Sequence, residues 1–540
     1  MTAGSAGGAP GAASGGLRRV AQGAALIAAI TLLARLIGFG RQVVFARAVG
    51  PNCVGSTYQT ANTVPNILYE IVAGGALASL VVPLLAGAVS AGDRDSVRAT
   101  ASALLTWTVS ILVPLAIVVA VLAHPLIALL LGDTRCGGAA DLGARMIVVF
   151  APQIVLYGIG VVLTGVLQAH ERFAGPALAP LLSSLVVIAA YLLYWADSGA
   201  SASVAGLGHT AELLLSVGTT IGVVALSLSL LIPLRRAGIR LRPSYHFPPG
   251  AARRAARLAA AGVAALVAQQ LSVAVALRLA NDHTAGGTVV VFTLAQTVFL
   301  LPWATLAVPL ATSAFPRLAA AVDRGEDDRY ARTSGQVSRM VVAVTLVAAA
   351  VLIAAAVPIG RVLVQGVGRG GDVTELARGI VAFAPGLVGY GLLALLSRAL
   401  YARHDARTPA VCTVIGWLVV VVADLVLSAE LPSGSRVLAL ALGNSIGMTV
   451  AAILLLGGLL RRAGGAALRG VPRMTAVALI AAAVAGAAGR WLASELAGGG
   501  AVAALGQCVV VGVVTLLVAA AALSVLARDD VRRLLRMRRG

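Results

Sequence analysis

Arg35, Arg41 and Arg47 stand six residues apart in LARLIGFGRQVVFARAVG, residues 33–50, a stretch otherwise apolar enough to enter a lipid bilayer. A guanidinium at the bilayer centre costs about 2.5–3.5 kcal/mol even on the most lenient scale, so arginines at that depth line a water-filled cavity or a polar pathway. On an α-helix six residues advance by about 600°, a net −120°, so the three cannot share one face of a continuous helix. Gly38 and Gly40 bracket Phe39 between the first two arginines, and each glycine weakens a helix by about 1 kcal/mol. A break at this hinge would turn Arg35 and Arg41 toward one central cavity, which leaves Arg47 as a loop or interfacial residue. Irregular backbone of that kind survives in a membrane only where protein buries it or water lines it.

The next apolar run, TANTVPNILYEIVAGGALASLVVPLL, carries Pro65 in its interior, with Asn66 and Glu70 four residues apart and therefore on one face. Proline removes one backbone bond, so Pro65 is a second hinge candidate, and Gly74 and Gly75 follow about a turn later. Two more ionisable residues interrupt apolar runs. Arg278, followed by Asn281, Asp282 and His283, reads either as a cavity residue or as a side chain that snorkels to the interface. Asp424, in GWLVVVVADLVLS, is the candidate for binding a coupling cation or proton; solvation from the near end of its span is the competing reading.

These residues must be positioned by membrane helices. The chain has 540 residues, 59% hydrophobic and only 11% charged, against about 25% charged in soluble domains. Its mean hydropathy is +0.95. Runs of about 20 apolar residues span the hydrocarbon core, and fourteen are present, so the fold class is an all-α polytopic membrane protein. With the N-terminus placed in the cytoplasm, 30 of the 41 arginines fall in segments assigned to the cytoplasmic side, which supports both termini inside and an even number of spans. Arginines clustered between spans orient helices, and nucleic-acid binding is set aside.

The chain also repeats itself. FAPQIVLYG at 150–158 returns as FAPGLVGYG at 383–391, and at the same ungapped offset Pro83 meets Pro316, Pro125 meets Pro358, Arg145 meets Arg378, and Pro176 meets Pro409. Each repeat holds six spans, so the halves share one topology and face each other about an axis along the membrane normal, an architecture suited to alternating access. The expected organisation is a disordered tail over 1–19, a six-helix lobe over 20–234, a basic linker over 235–254, a second six-helix lobe over 255–460, two extra helices over 461–527 and a basic tail over 528–540. No metal-binding spacing, phosphate-binding loop or nucleophile elbow is present, so binding and movement are expected rather than catalysis, with no cofactor. Of four cysteines, Cys53 and Cys136 can share one membrane face, which leaves room for a disulfide, but two free thiols are the expectation.

ARLIGFGRQVVFARAVG and TVPNILYEIVAGGALASLVVPLL together resemble the first two helices of the MurJ/MviN lipid II flippases, in the multidrug/oligosaccharidyl-lipid/polysaccharide exporter superfamily. ATSAFPRLAA and SRALYARHDARTPA match that family too, and the resemblance runs from about residue 20 to the C-terminus. It implies a bacterial inner-membrane protein that moves the undecaprenyl-pyrophosphate-linked peptidoglycan precursor outward, with two lobes around a cationic cavity and helices 13 and 14 grooved for the lipid tail. Arg35 and Arg41 match the family's cavity arginines and Asn66 its substrate-orienting asparagine, with Glu70 beside them; guanidinium forks suit a pyrophosphate. Two departures make the cavity less cationic than in the family: Tyr69 stands where an arginine is usual, and TLAQTVFLLP lacks the charges of helix 8. The membrane potential or a proton or monovalent-cation gradient would drive transport, with membrane lipids and cell-wall synthesis proteins as partners. Another polyprenyl-linked glycan, a small-molecule antiporter and a non-transporting scaffold remain open as alternatives.

Overall fold

In hydrocarbon every backbone N–H and C=O must be satisfied within the protein, so the apolar runs fold as helices. The structure, a computed structural model, describes residues 11–71, 81, 84–85, 89, 91–199, 203–239, 241–246, 251–284, 286–366, 372–496 and 498–526. The first lobe contains α1 (Gly11–Ala48), α2 (Cys53–Tyr69), α3 (Arg94–Val121), α4 (Ala123–Leu131), α5 (Ala139–Phe150), α6 (Pro152–Ala169), α7 (Ala174–Ser198), α8 (His209–Leu228) and the short α9 (Leu231–Arg236). The second contains α10 (Ala251–Asn281), α11 (Thr288–Pro302), α12 (Val308–Asp323), α13 (Asp327–Val364), α14 (Asp372–Phe383), α15 (Gly386–Ala402), α16 (Arg407–Glu430) and α17 (Arg436–Ala463). A π-helical turn, Trp303–Ala307, joins α11 to α12. The last two helices, α18 (Val471–Glu495) and α19 (Ala501–Leu526), pack on α13 and on each other.

Among the described residues twelve helices are long and apolar enough to cross a membrane, and α14 with α15, bent by 42°, makes a thirteenth where the pair is counted as one span. The remaining expected span, 60–88, begins as α2; most of its second half, with Gly74 and Gly75, lies outside the described residues. The first helix begins at Gly11, within the stretch expected to be a flexible tail, while residues 1–10 and 527–540 lie outside the described residues.

The sequence repeat has a structural counterpart. In the first lobe the helix breaks between Phe150 and Pro152, and in the second between Phe383 and Gly386, so both breaks fall on the repeated Phe-Ala-Pro. Proline cannot donate the bond that would carry the helix on, and it is well placed at a helix start.

Packing is unequal at the two ends of the bundle. At the distal end, where α1 terminates, one hydrophobic core runs through both lobes, joining Phe45, Tyr58 and Ile127 to Val290, Phe299 and Leu363. At the proximal end each lobe has its own core: Leu104, Val162 and Leu234 in the first, Leu318, Leu395 and Leu455 in the second. Among the described residues the buried apolar core is thus continuous between the lobes at the distal end and divided between them at the proximal end. On the proximal side SRALYARHDARTPA is structural: Asp405 accepts from the Thr408 N–H at 3.0 Å and pairs with Arg462 at 3.0 Å. The Thr408 hydrogen bonds, with Arg462 adding, hold its carboxyl below the usual aspartate range.

Cys53, at the start of α2, and Cys136, between α4 and α5, are joined in a disulfide with Cα atoms 5.7 Å apart. This corrects the expectation of two free thiols: cysteines 83 positions apart in the sequence both stand at the distal end, where the bond joins them. Gly286 of the second lobe rests on this bridge. Its φ is +82°, and a Cβ there would lie 2.8 and 2.9 Å from the two sulfurs, so neither its backbone nor its surroundings admit a side chain. Alkylation of the denatured, unreduced protein should label two thiols, Cys412 and Cys508, and four after reduction. Mass spectrometry of the labelled peptides checks this.

Candidate functional site

α1 runs unbroken through Gly38-Phe39-Gly40, so the expected hinge is absent. A broken helix in hydrocarbon would expose unpaired backbone groups, a larger cost than the weak helix propensity of two glycines. At 1.5 Å per residue, the continuous helix sets its arginines about 9 Å apart in depth. Arg35 lies toward the proximal end and lines a cleft of about 450 Å³ with Thr31, Gln168, Phe173 and Pro176. Arg41 is half-buried at mid-depth, and Arg47 stands in the last turn of α1. Because each six-residue step also turns by about 120°, the three stand at three depths and on three faces, a spiral ladder of cations along one helix.

Arg41 lies within electrostatic reach of the hydroxyls of Tyr58, Tyr157 and Tyr191. The Tyr157 hydroxyl donates to Asn66 Oδ1 at 3.0 Å, while Asn66 Nδ2 donates to the Asn62 carbonyl at 2.8 Å. Tyr58 bonds Tyr191 at 2.8 Å and Thr219 at 2.7 Å, and Phe45 stacks on the Tyr58 ring at 5.3 Å. Tyr69, in place of the family's arginine, packs its ring 4.4 Å from Tyr157. α2 stays helical across Pro65, which is buried. Side chains of Thr57, Thr60 and Thr63 each donate to the carbonyl four residues back and line this part of α2. Glu70, just beyond α2, is exposed and has no ion pair among the described residues.

The distal end is held shut by bonds between lobes. Arg47 donates to the Val362 carbonyl of α13, so it clasps the closed end rather than lying in a loop. The Asn281 side chain donates to Thr60 Oγ1 at 2.9 Å and to the Leu130 carbonyl at 3.3 Å, and Gly287 N–H donates to Ser56 Oγ at 2.7 Å. The Asp133 N–H donates to Asp282 Oδ1 at 3.1 Å, and Asp133, Asp282 and His283 bring their side-chain ligand atoms within 4.8 Å of one another. Arg278 belongs to this rim, 3.7 Å from Asp282 and packed over Gly132, apart from Arg35 and Arg41.

Asp424 is 1% exposed, and its Oδ1 has no hydrogen-bond partner among the described residues. The bare backbone of Gly443 in α17 approaches this carboxyl so closely that a Cβ there would collide with it. Burial, rather than solvation from the span end, is thus its environment.

Sequence reasoning missed the tyrosines around Arg41, which read as ordinary apolar-face residues. One signal was available: Tyr157 and Tyr390 close the two copies of the repeated nonapeptide. In the second lobe Tyr390 packs edge-on to both Trp303 and Trp417, so the repeat places an aromatic cluster in each lobe.

Two repeated helical lobes joined at one end, with a ladder of cations on the first helix, define a multi-pass membrane transporter rather than an enzyme. Residues 45–510 match the family described as Lipid II flippase MurJ, and the chain belongs to that family. It is 28% identical over 410 residues to the lipid II flippase MurJ of Burkholderia cenocepacia, covering 73% of this chain and 75% of that one. It is 26% identical over 486 residues to the probable lipid II flippase MurJ of Rhizobium meliloti, covering 87% of each. A solved structure of lipid II flippase MurJ in an inward closed conformation superposes with a TM-score of 0.73 at 19% identity, covering 94% of this chain and 99% of that one. An inward-facing transporter of the multidrug resistance MATE family superposes at 0.63 and 16% identity, over 81% of this chain and 94% of the other.

Removing the distal clasps should shift the protein toward a distally open state. Each lost bond from a charged or buried polar group is worth about 1.5–3 kcal/mol, roughly tenfold or more in population. A cysteine at Val64, one turn beyond Thr60 on the same face of α2 and outside the clasps, should therefore react with an impermeant maleimide at least tenfold faster in R47Q/N281A than with both residues intact.

Proposed function

We propose that this protein flips the undecaprenyl-pyrophosphate-linked peptidoglycan precursor, lipid II, from the inner to the outer leaflet of the bacterial cytoplasmic membrane. The observation that carries this reading is that unbroken α1 sets guanidiniums at successive depths on different faces: Arg35 on a cleft toward the proximal end, Arg41 half-buried at mid-depth, and Arg47 at the closed distal gate. Pyrophosphate is a doubly acceptor-rich anion that pairs with forked donors, and it must cross the depth that the ladder covers. The relatives' printed names support the same substrate, and the excess of arginine on the proximal side supports placing both termini in the cytoplasm.

On this reading the proximal end, where the lobes have separate cores, is the cytoplasmic side. The headgroup enters there and meets Arg35 and then Arg41, with Asn66 held by Tyr157 in position to orient it. Closing the proximal halves over the substrate competes with the distal bonds, so transport requires Arg47, Asn281 and Ser56 to release their partners across the lobes. Glu70, exposed beside Tyr69, is suited to accept from the sugar or peptide portion, since a carboxylate would repel the pyrophosphate. α18 and α19, which pack outside the repeat on α13, provide the surface for the long prenyl chain. Cell-wall synthesis proteins would then receive the exported precursor.

Coupling is assigned to Asp424, a buried carboxyl with an unbonded oxygen, which takes a proton or a monovalent cation as the potential or gradient drives the cycle. In a strain depleted of its own lipid II flippase, wild-type protein should restore growth and R35A/R41A at equal expression should not. Failure of the wild type would remove lipid II as the substrate. D424N should lower the transport rate at least tenfold and abolish its response to the ion gradient; unchanged transport and ion dependence would remove Asp424 from the cycle.

A further inference from the structure

Arg145 and Arg378 occupy matching positions in the two repeats, yet their surroundings differ. Arg145 forms two 2.8 Å bonds to Glu212, in the first turn of α8. The matching first turn of α17, Arg436 to Ala439, holds no acid. Among the described residues no carboxylate pairs with Arg378. Its side chain instead lines a cleft of about 570 Å³ between α13, α14, α17 and α18, shared with Arg490 of α18. Arg490 likewise has no acidic partner among the described residues. Apart from Thr374 the rest of the lining is apolar, with Ile353, Val357 and Leu438 contributing.

Depth and exposure narrow what fills this cleft. Arg378 lies six residues into α14 and Arg490 five residues before the end of α18, so each sits about 8–9 Å inside a distal helix end. That is near the level where lipid phosphates meet hydrocarbon. Trp491, 65% exposed beside Arg490, is the residue type that favours this interface. Two cations without acids above an apolar wall fit one ligand chemistry, a phosphate attached to hydrocarbon chains. The volume falls within the usual range of about 300–1,000 Å³ for small-molecule sites.

We propose that this cleft binds an anionic glycerophospholipid of the distal leaflet, with its phosphate bridging Arg378 and Arg490 and an acyl chain lying along Ile353, Val357 and Leu438. The site is separate from the ladder on α1 and stands whatever substrate that ladder carries. A lipid held there ties α18 to the second lobe.

The test is native mass spectrometry of the full-length protein with dioleoyl phosphatidylglycerol or dioleoyl phosphatidylcholine added. Wild type should retain phosphatidylglycerol at least tenfold better, R378Q/R490Q should lose that preference, and R378K/R490K should keep part of it. R324Q/R329Q, at the proximal end, serves as a charge-matched control and should behave as wild type. If the double glutamine variant does not elute as a folded monodisperse species, R378Q and R490Q are tested singly, each with an expected loss of at least threefold. Equal retention of the two lipids by wild type, or an undiminished preference in the glutamine variants, would overturn the proposal. So would displacement of the bound lipid by millimolar inorganic phosphate, which would mark a site for the bare anion.

Discussion

The cost of holding a guanidinium inside a bilayer constrains the whole architecture. Arg41 is half-buried at mid-depth, and it is tolerable only with polar groups beside it and water within reach. The fold answers with the hydroxyls of Tyr58, Tyr157 and Tyr191, all within electrostatic reach of this guanidinium. Arg47 meets the same constraint differently, through a carbonyl in the other lobe, so it stabilises the closed end. Helix continuity then becomes functional: because α1 does not break, its cations are spread over depth rather than gathered into one pocket.

The distal closure rests on many small contributions. A shared hydrophobic core, several cross-lobe hydrogen bonds and the seat of Gly286 on the Cys53–Cys136 bridge act together, and none alone is large. A gate assembled from a few bonds of about 1.5–3 kcal/mol each can hold the closed state in excess and still release when a ligand favours the other state by several kcal/mol. The disulfide lies within the first lobe, so it shapes the surface on which the second lobe docks without bolting the two together.

Much of this fold was legible in the sequence because the bilayer enforces simple rules. Span length, the arginine distribution and the repeated Phe-Ala-Pro each report a physical requirement, although the spans expected over 143–168 and 378–401 run straight through the repeated motif where the structure breaks both helices. The continuity of α1 through Gly38-Phe39-Gly40 was not legible, because glycine propensities come from water, whereas in hydrocarbon an unpaired backbone group costs more than the residue does. Arg47, the disulfide and the tyrosines around Arg41 were hidden for another reason. Each depends on a partner more than 80 residues away, such as Val362 for Arg47 and Cys136 for Cys53, and periodicity along one helix carries no information about them. Asp424 was visible as an outlier, but its burial follows from the close approach of Gly443, a packing detail outside its own helix.

The central claim is that the guanidinium at mid-depth on α1 carries the headgroup across. Its most direct test is the rate at which a fluorescent undecaprenyl-pyrophosphate glycan crosses between the leaflets of proteoliposomes, measured for wild type and R41Q at matched incorporation and folding. The account predicts transfer by the wild type and a loss of at least tenfold in R41Q. Equal rates in the two proteins would contradict it.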